Sequence, residues 1–282
     1  MGENSLYEKV SRANIVYHTI LAETYDETQP YFSLENVERI RELVLKLMDN
    51  KIPSIFLDIA CGTGFMLSIV NSYFDYCIGL DITPEMVVEA RRKFYNMNVF
   101  LCIGDANNIP FRKSQFNFSS IYCSLHHFVE LEPVLAEMYR VLKDDGVFYS
   151  DEDPNFYFLR DVKDLETELV GLSFLARDVK SVRGADEIVG DKHGIDAEVT
   201  RLSEFQRLAK NGMKKEDVEN ILEKVGFKRV SSEYRWFLGQ GHYLHCVSTE
   251  VSNVIEGFLR GCLPLSRNLF KTFYTTAVKE SK

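Results

Sequence analysis

An acid, two glycines and a helix start stand together in Leu57-Asp58-Ile59-Ala60-Cys61-Gly62-Thr63-Gly64. The apolar run Ile55-Phe56-Leu57 precedes them, so the pattern is buried strand, tight turn, helix. Glycines at 62 and 64 let backbone approach a ligand that any Cβ would push away. The free N–H groups of the helix start suit a carboxylate or a ribose oxygen. A plain tight turn would use the same two glycines. A dinucleotide-binding turn would add a third glycine three residues after Gly64, where Leu67 stands. Asp58 is also a poor neighbour for a pyrophosphate and a good one for an ammonium. The turn therefore suits a cationic nucleoside bearing an amino acid better than it suits NAD.

This segment resembles motif I of the class I S-adenosylmethionine-dependent methyltransferases, where the acid and the glycines hold the methionine part of the cofactor. The following motifs agree in order. Gly79-Leu80-Asp81-Ile82-Thr83 puts an acid at the end of the next strand, 17 residues after Gly64. A carboxylate there can accept from both ribose hydroxyls. Gly104-Asp105-Ala106-Asn107-Asn108-Ile109-Pro110-Phe111 looks like the family's adenine loop, whose acid accepts from the adenine amino group while a small neighbour lets the ring lie flat. Ile121-Tyr122-Cys123-Ser124-Leu125-His126-His127-Phe128 ends a fourth strand beside the expected sulfonium. Glu137-Met138-Tyr139-Arg140-Val141-Leu142-Lys143 resembles the family's next helix, with Asp144-Asp145-Gly146 in place of the usual Pro-Gly-Gly. The resemblance covers about 50–155, and the closing helix and strands at 214–236 and 270–279 fit it. It implies S-adenosyl-L-methionine as cofactor and S-adenosyl-L-homocysteine as product. The implied cofactor residues are Tyr25, Asp58, Ala60, Cys61, Gly62, Gly64, Asp81, Ile82, Met86, Gly104, Asp105, Ala106, Cys123 and Ser124. The three acids are expected to face one cavity.

Methyl transfer from a sulfonium needs a nucleophile held in line and water kept out. A hydroxyl or ammonium acceptor must also lose a proton, for which a histidine is the natural base. His127 and His126 are the catalytic candidates, His127 matching a histidine common at this point in the family. Tyr25-Asp26 resembles the Tyr-Asp pair of the N-terminal lid in small-molecule members. His242 and His245 lie three apart without a cysteine or carboxylate at ligand spacing, and no metal is expected. Asp151-Glu152-Asp153 either lines the acceptor pocket or forms a solvated turn.

These residues need a frame that brings strand ends together. Strand-like runs at 55–57, 76–80, 99–103, 118–123 and 147–150 alternate with helical ones at about 34–49, 65–73 and 84–95. Thr83-Pro84 opens the last of these. Leu135, Met138 and Leu142 mark a further helix, which Gly146 is expected to end. Residues 1–32 show little periodicity. Val218, Ile221, Leu222 and Val225 share a helical face stopped by Gly226, and 228–237 and 270–278 are strand-like. The expected fold is α/β: a doubly wound, mostly parallel seven-stranded sheet with an antiparallel last strand. Residues 1–282 form one domain: an N-terminal lid and helix (1–50), a cofactor-binding core (51–154), cap insertions (155–212 and 238–267), and the rest of the core (213–237 and 268–282). The aromatics Phe156, Phe158, Phe174, Tyr234, Trp236, Phe237 and Tyr243 hint at an apolar or aromatic acceptor, though core packing explains most of them equally well.

A formal charge of −9 and a pI near 5.3 disfavour a nucleic-acid surface. No run of 18 apolar residues and no secretory leader is visible, and six cysteines without a Cys-x-x-Cys suit a reducing cytoplasm. The reading is a cytoplasmic methyltransferase, monomer or homodimer, acting on an O, N or C nucleophile of a small molecule. A protein or RNA acceptor, a non-catalytic cofactor-binding subunit and a dehydrogenase are the alternatives.

Overall fold

The computed structural model describes residues 5–29, 32–48, 54–95, 97–168 and 173–281. Seven strands, β1 (Ile55–Ile59), β2 (Tyr76–Asp81), β3 (Val99–Ile103), β4 (Phe116–Tyr122), β5 (Leu142–Pro154), β6 (Lys228–Phe237) and β7 (Phe270–Lys279), form one sheet. Their order is β3-β2-β1-β4-β5-β7-β6. The first five run parallel, and β7 is antiparallel to both of its neighbours. Central β1 is apolar on both faces because both are covered: Phe56 joins one core cluster while Leu57 and Ile59 join the other.

Among the described residues, twelve α-helices flank the sheet or extend from it: α1 (Leu6–Leu21), α2 (Tyr25–Thr28), α3 (Leu34–Met48), α4 (Phe65–Val70), α5 (Pro84–Lys93), α6 (Leu131–Val141), α7 (Phe156–Glu168), α8 (Ser173–His193), α9 (Ala197–Ser203), α10 (Lys215–Val225), α11 (Gln240–Cys246) and α12 (Thr249–Gly261). None among the described residues is long and apolar enough to cross a membrane.

Three local expectations are corrected. Residues 6–21 form a helix where little periodicity was expected. Ser5 and Glu8 close a reciprocal capping box, and Val10, Ala13, Asn14, Tyr17 and Leu21 make its buried stripe. The stripe includes an asparagine and is interrupted by exposed Val16 and Ile20, which masks its period. Helix α6 ends at Val141 rather than at Gly146, because Leu142 is already extended and starts β5. Among the described residues, the two segments expected as cap insertions, irregular as sequence, are largely helical: 155–212 carries α7 to α9 and 238–267 carries α11 and α12.

Candidate active site

Strand order reverses between β1 and β4, and such a crevice beyond the carboxyl ends of parallel strands is where α/β sheets bind ligands. A cavity of about 370 Å³ lies there. Its floor comes from the turns after β1, β2, β3 and β4, and its roof from α1 through Tyr7, Val10, Ser11, Asn14 and His18. The roof is held from behind by the first insertion: Tyr17 and Leu21 pack with Ile195, Val189 and Val199.

Nine of the expected cofactor residues line this cavity: Tyr25, Ala60, Gly62, Asp81, Ile82, Gly104, Asp105, Ala106 and Ser124. Asp58, Cys61, Gly64, Met86 and Cys123 are outside its lining. Gly62 takes φ +52°, and a Cβ built on it meets no atom within 4 Å, so the turn is open on the ligand side. Gly64 differs. At φ +88° its Cβ would stand 2.4 Å from the Phe94 ring, so this glycine is set by packing against the end of α5. The expectation that both glycines admit a ligand is thereby reduced to one. Just beyond the ends of β1 and β4, Ala60 and Cys123 also take left-handed backbone, with φ 53° and 51°.

The acids divide as well. Asp81 accepts from the Gly62 N–H at 2.8 Å with one carboxylate oxygen and from the Thr83 N–H at 2.8 Å with the other. Burial raises its pKa, against the pull of these two N–H groups. Asp105 accepts from both nitrogens of Asn107 through Oδ1, while the Tyr7 hydroxyl donates to its Oδ2 and pins the roof to the floor. Asp58 does not share the cavity. It is 2% exposed, accepts from Ser120 Oγ at 2.5 Å, and is pushed up to about 7 by burial and by nearby Asp81. Of the three acids expected to face one cavity, Asp81 and Asp105 line it, and Asp58, which precedes the turn on a strand covered on both faces, does not.

The lid pair Tyr25-Asp26 is anchored through its acid. Asp26 accepts from Thr63 Oγ1 at 2.5 Å and pairs with Lys93, which also donates to the Thr63 carbonyl at 3.0 Å. Tyr25 lies 6.0 Å from the His18 ring, and His18 meets His127 edge-on at 5.1 Å.

Of the two adjacent histidines, His127 lines the cavity and His126 does not. His127 Nδ1 lies 2.5 Å from the Ser203 carbonyl. A carbonyl only accepts, so Nδ1 carries the proton and Nε2 the lone pair. Burial, reinforced by His126, pushes the His127 pKa down to about 3 and leaves the ring neutral at ordinary pH. Glu204, 7% exposed, stands 3.3 Å from His126 Nε2 and 3.9 Å from His127 Nδ1. Burial would raise its pKa, but the facing histidine His126, with Arg207 at 3.8 Å, holds the carboxyl below the usual range.

Asp151-Glu152-Asp153 is neither a pocket wall nor a solvated turn. Asp151 and Asp153 are fully buried and outside the cavity lining. Arg39 Nη2 bonds Asp151 at 2.6 Å, and the Tyr149 hydroxyl donates to the same oxygen. Trp236 donates to Glu152, which burial and Asp151 push up to about 7. None of the seven aromatics singled out above lines the cavity, and Phe158, Tyr234 and Phe237 belong to the core. His242 stacks on Phe174 at 4.3 Å while His245 faces Glu35.

A family model described as "Methyltransferase domain" matches residues 57–150. An uncharacterized protein of Methanocaldococcus jannaschii, MJ1252, is 31% identical over 217 residues, which are 76% of this chain and 76% of that one. The chain belongs to the class I S-adenosylmethionine-dependent methyltransferases. Demethylmenaquinone methyltransferase of Staphylococcus saprophyticus is 33% identical over 127 residues, 44% of this methyltransferase and 54% of that one, so the match spans about half of that relative. Phosphoethanolamine N-methyltransferase 2 of Haemonchus contortus, solved with S-adenosyl-L-methionine, shares the fold at TM-score 0.59 and 15% identity, over 99% of this chain and 61% of that one. The N-terminal lid of this methyltransferase was expected, but its helix α1 and Glu204 were not. The Ser5-x-x-Glu8 capping box would have flagged the first. No spacing rule reaches the second, 77 residues after His127.

Proposed function

We propose that the cavity binds S-adenosyl-L-methionine, adenosine toward Asp81 and Asp105 and methionine toward Ala60 and Gly62. The methyl group then passes to an O, N or C nucleophile of a small-molecule acceptor reached beside His127. The observation that carries this reading is that Asp81, Asp105 and the open face of Gly62 share one cavity of about 370 Å³ under a helical roof. The bound cofactor supplies an electrophilic methyl on a cationic sulfur. Each Asp81 oxygen holds one backbone N–H and keeps a lone pair for a ribose hydroxyl. An adenine amino group would share Asp105 Oδ2 with Tyr7. The α1 roof excludes water, which would otherwise compete as nucleophile. His127 presents a neutral, weakly basic imidazole, suited to orienting an acceptor O–H or N–H more than to taking its proton.

The test is transfer of labelled methyl from S-adenosyl-L-methionine into cell extract, separated by size. Label in the small-molecule fraction is expected. Label confined to protein or RNA, or cofactor binding without any transfer, would overturn the acceptor class or the enzyme reading respectively.

A further inference from the structure

We propose that His126, His127 and Glu204 bind one first-row divalent cation, at the seam between the turn after β4 and the first insertion. One ligand atom from each residue lies within 4.8 Å of the other two. His126 and Glu204 are 4% and 7% exposed. The His126 Nε2–Glu204 Oε2 separation of 3.3 Å already falls within the roughly 3.3–3.6 Å between donors around a tetrahedral ion. Among the described residues, the only contact of Glu204 Oε2 inside 3.5 Å that the geometry gives is the 3.3 Å approach of His126 Nε2, and it falls short of a well-formed hydrogen bond, whereas buried polar atoms are otherwise almost always satisfied. The proton on His127 Nδ1 goes to the Ser203 carbonyl. That is the outer bond a ligating histidine makes, and it fixes the lone pair on the other nitrogen.

Two imidazoles and one carboxylate are the donor set of three-ligand zinc and iron(II) sites with a vacant coordination position. Magnesium and calcium prefer all-oxygen sets. Arg207 Nη1, 3.8 Å from Glu204 Oε2, is the cationic group an incoming ion would have to displace or tolerate. Because His127 lines the cavity, the vacant position would face the acceptor space, where the ion would bind an acceptor oxygen or nitrogen and lower its pKa. That role rests on the proposed methyl transfer; the binding of the ion does not.

The test uses the full chain, stripped with a chelator and titrated with Zn²⁺ against a chromophoric competitor. One ion per folded chain is expected, with affinity falling at least about tenfold in H126Q and in E204Q. The H242Q/H245Q double variant, altered at the other histidine pair, should bind as the parent does. Circular dichroism identifies folded variants, and H126Q decides if E204Q does not fold. Calorimetry with S-adenosyl-L-methionine on H126Q should be unchanged, which separates loss of the ion from loss of the cofactor site. Absence of stoichiometric binding, unchanged affinity in H126Q, or loss only in H242Q/H245Q would overturn the proposal.

Discussion

A methyl group added to Gly62 enters open space, whereas one added to Gly64 presses on the Phe94 ring. The two substitutions should therefore fail differently. Gly62→Ala carries the left-handed penalty of about 1–2 kcal/mol and puts its Cβ in the space proposed for the methionine part of the cofactor, so cofactor binding should fall far more than stability. Gly64→Ala adds overpacking to the same penalty and should lose about 2–5 kcal/mol. Thermal denaturation and calorimetry on both variants check this, and equal losses of stability would contradict it. Asp58 gives a second test at this scale. Its carboxyl sits at about 7 in the fold against an ordinary 3.8. Between those values the native state keeps a proton that the unfolded chain has released. Rising pH then favours unfolding, by up to about 1.4 kcal/mol per unit. Asp58→Asn has no proton to lose and still accepts from Ser120. Its melting-temperature advantage should grow from about pH 4 to about pH 7 and then level off; a constant difference would show that Asp58 ionises freely in the fold. Both arguments begin at residues already visible as a motif in the sequence. Which way each side chain faces was not visible, because that depends on Phe94 and Ser120, which lie 30 and 62 residues further along.

At the scale of elements, the site is a floor of strand ends and a roof of one helix, read with unequal success. The strands were legible because parallel strands covered on both faces must be continuous apolar runs. The roof was not, since α1 buries a narrow stripe against α9 and leaves Val16 and Ile20 exposed. The segments 155–212 and 238–267 were illegible for a related reason: their helices pack on elements far away in the chain, α9 on α1 and α12 on the main core through Ile255 and Leu259. The roof's grip on the floor is testable. Tyr7 donates to Asp105 across the cavity, and removing a hydrogen bond to a charged group costs about 1.5–3 kcal/mol. Tyr7→Phe should raise the dissociation rate of S-adenosyl-L-homocysteine by roughly tenfold or more, with helix content unchanged. Stopped-flow displacement measures it, and an unaltered rate would mean the helix does not gate the ligand.

At the scale of the molecule, four motifs in fixed order were enough to anticipate a seven-stranded sheet with its antiparallel strand. The order follows from handed crossovers and short connections, so few topologies compete. The His126–His127–Glu204 group lay beyond that reach, since the first insertion alone brings Glu204 back to the sheet. The strand order has an effect on manufacture too. The segment Phe270–Lys279 lies between β5 and β6, although β6 precedes it in the chain. While a ribosome is still making that segment, β5 has no partner on one side and β6 has none at all. The Lys279 ammonium, which donates to the Tyr139 and Leu142 carbonyls, arrives later still. Each nascent copy thus carries raw sheet edges, open to mispairing with a neighbouring polypeptide, until the last strand has been translated and has slid into its slot.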